Sequence, residues 1–273
     1  MKIDQKRIVI TGASSGIGRA LLQELSEHQV QIVAVGRDEM RLRDVIESAD
    51  GSRARVMSFP CDLSRQRDVD ALFDYAVQQM GGIDIFVANA GFAYWEPVQE
   101  PDWGRIEAIF ETNVFSPIYS AQKMHTLFQG ADYRVVITSS ILGRIGLEGY
   151  ALYASTKAAL DRFAEVYRLE SRKHKQLVLV YPLAVRSGFF QAAGGGPVPW
   201  LSQSPASAAQ AILRGIEKDR ETLYTSWILR PMLLVQHLLP FTRRWYQAID
   251  ARVFRRHWAT QGKKASQGES GHG

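Results

Sequence analysis

The stretch RIVITGASSGIGRA, residues 7–20, decides how the rest of the chain is read. Its first five residues are a β-branched, apolar run that reads as a strand. Its last residues open a longer segment, running to position 28, whose apolar positions recur at helical spacing. Between the two stand Gly12, Ser14, Ser15, Gly16, Ile17 and Gly18. Glycines at a strand-to-helix junction allow a tight turn, a close backbone approach to a pyrophosphate and tight packing of helix on strand. A helix beginning near Gly16 points its free N–H groups and its dipole at the enclosed anion. The spacing is GxxxGxG rather than GxGxxG, and glycine triplets alone also make plain turns. Placement between a first strand and a first helix is what marks this one as a phosphate loop.

Outward from that loop the pattern repeats. Near-continuous apolar runs at residues 7–12, 31–36, 55–60, 83–89, 134–140 and 177–182 read as strands covered on both faces. Helical stretches at 16–28, 39–48, 66–80, 103–128 and 150–175 separate them. This alternation predicts a single α/β domain of Rossmann type, a doubly wound parallel sheet with helices on both faces. The catalytic domain is expected over residues 1–225, with ETLYT (221–225) as a last strand after a helix over 204–218. SGFFQAAGGGPVPW (187–200), rich in glycine and aromatics, reads as an irregular flap around 188–203. Residues 226–260 form an apolar and basic helical extension, and 261–273 are expected to be disordered.

Composition narrows the classes. With 46% hydrophobic and 22% charged residues, the 273-residue chain is an ordinary globular protein with a sizeable core. Its one cysteine, Cys61, rules out an internal disulfide, fits a reducing cytosol and reads as a buried thiol at a strand end. No apolar signal segment precedes the first strand, and no apolar run is long enough to span a bilayer, so a cytoplasmic protein is expected. The net charge of +5 sits in the tail: from Arg230 onward eight Lys/Arg face two acids, leaving 25 basic against 26 acidic residues before it. A nucleic-acid face spread over the body therefore has no support, and no metal site is expected.

The second strand ends VAVGRD, with Gly36, Arg37 and Asp38. An NAD-selective fold places an acid at this strand end to hold the ribose 2′-hydroxyl. Here Arg37 stands in that place. A guanidinium suits a 2′-phosphate because it is always charged and offers fixed donors; Ser14 and Arg19 add more. Asp38 lies one position beyond. The cofactor expected is NADP(H).

TGASSGIG (11–18), Asn89–Ala90–Gly91 and YASTK (153–157), taken in order, resemble the short-chain dehydrogenase/reductase family over residues 5–190, and loosely on to Lys218. The residues agree with what that resemblance implies. Reduction of a carbonyl by a hydride donor needs an acid to protonate the developing alkoxide, and a free tyrosine, with a pKa of about 10, is reluctant. A lysine four residues on lies one turn along the same helix face and favours the phenolate. In GYALYASTKAAL (149–160) only Tyr153 has such a partner, Lys157; four residues after Tyr150 stands Ala154. Tyr150 reads as a pocket or helix-start residue.

The resemblance further implies a serine 13 residues before the tyrosine, which selects Ser140 to hold the substrate oxygen. Ser139, facing the other way, reads as structural. Asn113 in ETNVFSP matches the family's helix asparagine, which carries a water-borne proton path; locally, Asn113 before Pro117 also reads as a kink. Asp62 with Leu63 in CDLS matches the adenine contact, and Asn89, Ala90 and Gly91 the cofactor side. Pro182, Val185 and Ser187 in PLAVRS match PGxVxT, with Val185 presenting its backbone to the nicotinamide and Leu183 in place of the usual glycine.

The implied activity is NADP(H)-dependent hydride transfer between the nicotinamide and a carbonyl or secondary alcohol. Phe189, Phe190, Trp200, Tyr94 and Trp95 point to an apolar, lipid- or steroid-like substrate. The alternatives are a 3-oxoacyl reductase of fatty-acid metabolism, whose acidic carrier the basic tail would attract, and a nucleotide sensor without turnover. A homodimer or homotetramer is expected. For the tail, Trp245, Ile249, Val253 and Trp258 among arginines leave three readings open: a helix on an anionic membrane, a cover for the pocket, or an oligomer interface.

Overall fold

The computed structural model describes residues 1–98, 101–171 and 176–269, with the backbone alone over 261–269. Seven parallel strands form the central sheet in the order β3-β2-β1-β4-β5-β6-β9. They are β1 (Arg7–Thr11), β2 (Gln31–Gly36), β3 (Arg55–Pro60), β4 (Ile85–Ala88), β5 (Arg134–Thr138), β6 (Leu177–Tyr181) and β9 (Thr222–Tyr224). A two-residue pair, β7 (Ala184–Val185) and β8 (Ser202–Gln203), lies apart from it.

Alternation along each strand feeds two cores. Ile8, Ile10, Ile32, Val136 and Val178 pack against α1 (Gly16–Ser26), α2 (Glu39–Glu47) and α8 (Pro205–Glu217). Val9, Val33, Phe86, Val135 and Leu179 face the opposite layer, α3 (Gln66–Met80), α5 (Ser116–Leu127) and α6 (Ala151–Ser171). Both faces of the sheet are therefore covered, as its apolar strands require. The winding reverses between β1 and β4, which are neighbours, so the carboxyl ends of β1, β4, β5 and β6 open onto one crevice.

Four expectations are corrected. Residues 103–128 are not one helix: α4 (Trp103–Phe110) passes through a π-helical turn, Glu111–Phe115, into α5. Pro117 near the start of α5 has no N–H to donate and crowds the preceding turn, and the widened turn accommodates it. The flap is not wholly irregular, since it holds a short helix, α7 (Phe189–Ala192), and is tied at its base by β7 and β8. Of the tail expected to be disordered, the backbone from 261 to 269 is helical, because α10 (Pro240–Glu269) continues through it, and 270–273 lie outside the described residues. Elongating a helix already anchored by packing costs far less than starting one. Finally, α6 begins at Ala151, and the expected end at 172–175 lies outside the described residues.

At the opposite edge of the sheet an ion pair clamps the reversal point. Asp84 accepts from Arg7 N (2.8 Å), Nε (2.9 Å) and Nη2 (2.9 Å), joining the amino ends of β1 and β4. Burial alone would raise the Asp84 carboxyl, but these bonds hold it below its ordinary 3.8. A depressed carboxylate stabilises the fold above its unfolded value and loses that contribution as pH falls through the folded one. Asp84→Asn is expected to destabilise the protein by about 2 kcal/mol at neutral pH. In urea melts across pH the gap to wild type should close below the unfolded value of 3.8.

Candidate active site

The site is built where the strands end. Thr11 closes β1, and its hydroxyl donates to Val87 O (3.1 Å) while accepting from the backbone N–H of Asn89 (2.9 Å) and Ala90 (3.0 Å). Asn89 Nδ2 donates to Thr11 O (3.2 Å), and Thr138 Oγ1 donates to Asn89 Oδ1 (3.2 Å). One hydroxyl and one amide thus fasten the ends of β1, β4 and β5 together. Sequence reasoning named Asn89 but missed Thr11 and Thr138.

The loop beyond Thr11 can only be glycine at its tightest points. Gly12 has φ +66°, and a Cβ on Gly18 would lie 2.2 Å from Gly12 O. Helix α1 starts at Gly16, and the Ser15 side chain makes no capping bond, so the first-turn N–H groups face the crevice uncapped. Ile17 packs on the α1/α2/α8 core. Ser187 lies 3.6 Å from where a Gly16 Cβ would be, and its hydroxyl accepts from Phe189 N at the start of α7 (3.4 Å).

At the end of β2, Ser14 Oγ abuts Gly36 and Arg37 is exposed, with no ion pair among the described residues. Asp38 caps α2, accepting from Arg41 N (3.1 Å) and pairing with Arg41 Nε (3.1 Å). Asp38 is therefore engaged by its own helix. After β3, Asp62 Oδ1 accepts from Ser64 N (3.1 Å) in a tight turn and Leu63 is buried beneath it. Cys61 is half-buried rather than buried, and its thiol is pushed up to about 12 by burial and by Asp68 and Asp62. It stays protonated and is no nucleophile.

At the chemical end, Tyr153 lies on the first turns of α6 and Ser140 follows β5. Burial raises the Tyr153 phenol to about 12, against the pull of a hydrogen bond with Ser140. Ser140 Oγ also accepts from Leu142 N (3.2 Å). Lys157 is 4% exposed and donates from Nζ to Thr138 O (2.8 Å). Burial lowers this ammonium to about 8, and Asp161 opposes the shift. Nζ stands 5.5 Å from the Tyr153 ring centre. Asp161 in turn accepts from Ser139 Oγ (2.7 Å), and Ser139 also bonds Lys157 O (3.4 Å), which fixes strand to helix.

Asn113 sits in the π-helical turn, buried, with its side chain clasping Phe92: Oδ1 accepts from Phe92 N (3.1 Å) and Nδ2 donates to Phe92 O (2.8 Å) and Thr156 Oγ1 (3.2 Å). A Cβ on Gly91 would meet Asn113 Oδ1 at 3.0 Å and Lys157 Nζ at 3.7 Å. Asn113, Gly91, Lys157, Tyr153 and Ser140 therefore converge on one spot. Beyond β6, Pro182 leads to Leu183, whose N–H donates to Thr225 Oγ1 (3.0 Å), and to Val185, buried in β7. Thr225 and Gln203 hold the turn in place of a glycine.

Aromatic rings wall the space above. Phe189 packs on Tyr153 (5.6 Å between centres), Tyr150 on Tyr153 (6.1 Å), and buried Trp95 on Phe254 of α10 (5.2 Å). Phe190 meets Phe189, and Tyr94 lies under the Arg105 guanidinium. Trp200, expected in this wall, is 91% exposed and takes no part in it; the glycine run before it lets the chain turn outward. Phe254 was not singled out from the sequence, where Trp245 and Ile249 showed the stronger period. Among the described residues no cluster of His, Cys, Asp or Glu could hold a metal.

A glycine-rich strand-to-helix loop, a buried tyrosine–lysine pair and a serine on a doubly wound sheet set the class of protein as a Rossmann-type α/β fold. Residues 6–194 match the family described as short chain dehydrogenase, and the chain belongs to that family. It is 32% identical over 185 residues to a fatty acyl-CoA reductase of Mycobacterium tuberculosis, covering 65% of this chain and 63% of that one. It is 28% identical over 189 residues to a 3-dehydrosphinganine reductase of Danio rerio, covering 67% and 57%. The matches span less than two thirds of either relative's length. The fold is shared with a short-chain dehydrogenase from Sphingobium yanoikuyae in complex with NADPH (TM-score 0.74, 23% identity, 86% and 94% covered). It is shared equally with one from Burkholderia phymatum in complex with NAD (TM-score 0.78, 21% identity, 87% and 94% covered).

The Thr11 bracket makes a stability prediction. Thr11→Val keeps the shape but leaves two backbone N–H groups and a carbonyl without their partner. An expected loss of about 2–4 kcal/mol would appear in urea unfolding, and a loss near zero would refute the bracket.

Proposed function

We propose that the protein is an NADP(H)-dependent oxidoreductase that transfers hydride between the nicotinamide and a carbonyl or secondary alcohol on an apolar substrate. The observation that carries this reading is the convergence of Ser140, Tyr153 and Lys157 beside Gly91, under a wall of aromatic rings. The glycine cradle, the uncapped first turn of α1 and the free guanidinium of Arg37 fit a 2′-phosphorylated dinucleotide. Once bound, that cofactor supplies the hydride.

The chain's own residues do the rest. Ser140 Oγ–H orients the substrate oxygen and meets the negative charge that develops on it. Tyr153, held near 12, carries its proton at neutral pH and delivers it to that oxygen. Lys157 remains charged up to about pH 8 and favours the phenolate that the transfer leaves. Asn113 fixes the Gly91–Phe92 backbone beside the ammonium. Oxidation of an alcohol runs through the same residues, with Tyr153 as base. Phe189, Tyr150, Trp95 and Phe254 exclude water and suit a hydrocarbon-bearing ketone. Two relatives named for lipid-type substrates support that class.

The test is NADPH oxidation against a panel of ketones, with two variants. Tyr153→Phe should lower kcat by about 10²–10⁴-fold while fluorescence titration shows NADPH still bound; unchanged turnover would sink the mechanism. Arg37→Ser should weaken NADPH by about 10–100-fold and leave NADH unaffected. Equal loss of both cofactors would remove the 2′-phosphate argument.

A further inference from the structure

The carboxyl-terminal helices have two unlike faces. One is accounted for by the site. Phe254 fills the space over Gly149, whose Cβ would lie 2.4 Å from its ring, and Trp258 packs beside it. Gln247 Nε2 donates to Gly146 O (2.7 Å), and Arg255 grips Glu148 from Nε (3.0 Å) and Nη2 (3.2 Å). These contacts hold α10 on the loop before the catalytic helix.

The other face has no partner among the described residues. Phe241, Trp245, Ile249 and Val253 recur every four residues of α10 and form a stripe winding slowly along it. Phe241 and Trp245 are 66% and 68% exposed, and Leu238 at the end of α9 (Leu229–Leu238) is 66% exposed beside them. Exposed apolar side chains this large and this contiguous mark a contact surface. Arg243, Arg244, Arg252 and Arg256 are interspersed, all exposed and all without an ion pair among the described residues. Arg252 and Arg256 lie three and seven positions after Ile249, hence along the stripe. Within residues 229–260 the single carboxylate is Asp250, which is half-buried and set against Tyr150.

We propose that this face docks on the surface of an anionic phospholipid bilayer, the rings seated among the acyl-chain ends and the arginines on lipid phosphates. Charge decides the occupant. A second copy in a two-fold contact would set the same four unpaired guanidiniums against each other, whereas anionic headgroups neutralise them. The helices lie on the membrane rather than cross it, since no helix among the described residues is long and apolar enough to span. Because the inner face of α10 walls the pocket, docking brings that wall to the lipid. The inference goes beyond the proposed reaction and does not depend on it.

Flotation of the full-length protein with vesicles tests it. Binding is expected to vesicles rich in phosphatidylglycerol at low salt, to weaken as salt rises, and to be lost on phosphatidylcholine alone. Replacing Arg252 and Arg256 by Glu should lower the partition constant by at least about five-fold for each arginine. Trp245→Ser with Ile249→Ser should reduce it by a similar factor, with NADPH binding intact as proof of folding. No flotation at low salt, or flotation untouched by either pair of changes, would overturn the proposal. A drop in oligomer size for the Trp245/Ile249 pair in light scattering, without vesicle binding by wild type, would assign the face to a second copy instead.

Discussion

A buried ammonium is the constraint on which the active end of this protein depends. Lys157 sits at 4% exposure, and an unpaired cation there would be costly. The surrounding structure keeps it. Thr138 offers its carbonyl at 2.8 Å, and Asp161 supplies a favourable field from one turn further along α6. Asp161 is held in turn by Ser139 and by Arg144 (3.2 Å). Helix α6, the end of β5 and the loop carrying Ser140 are thereby fixed to one another.

That arrangement sets the tyrosine's chemistry. Tyr153 and Lys157 share a helix face, but Nζ is turned to the strand end rather than to the phenol. Burial keeps the phenol protonated, the state a proton donor needs. In the proposed reaction the lysine is a nearby charge rather than a direct partner, and its effect grows as negative charge appears on the phenol oxygen. At the other end of the crevice, the Thr11 hydroxyl brackets β1 to β4 and sets the glycine loop beside Gly91. The glycine loop and helix α6 are thus joined through the same strand ends.

Much of this was legible in the sequence, for physical reasons. Near-continuous apolar runs gave strands, and β2 and α3 were bounded to the residue. The glycine spacing and the tyrosine–lysine interval pointed to the two ends of the proposed site, because each chemistry tolerates few residue types. What was not legible depends on contacts between distant segments. Thr11 earns its role through Asn89 and Ala90, far along the chain, and nothing local announces it. Asn113 is visible as a motif, yet its clasp on the Phe92 backbone, made from within a π-helical turn, is a contact between distant segments. Trp200 looked like pocket lining because aromatics near a flap look alike, whereas Phe254, outside the matched family region, supplies that wall. On α10 Trp245, Ile249 and Val253 of the regular stripe face solvent, whereas Trp258 of the same stripe turns inward beside the less conspicuous Phe254.

The central claim is that burial beside β5 makes Lys157 a tuned cation, distinct from every surface lysine. It is tested most directly by following lysine side-chain nitrogens by NMR through a pH titration, with the Lys157 signal identified by its absence from Lys157→Arg. The account predicts that this ammonium loses its proton near pH 8, while exposed lysines titrate at about 10.4. A Lys157 signal that titrates together with the surface lysines would contradict it.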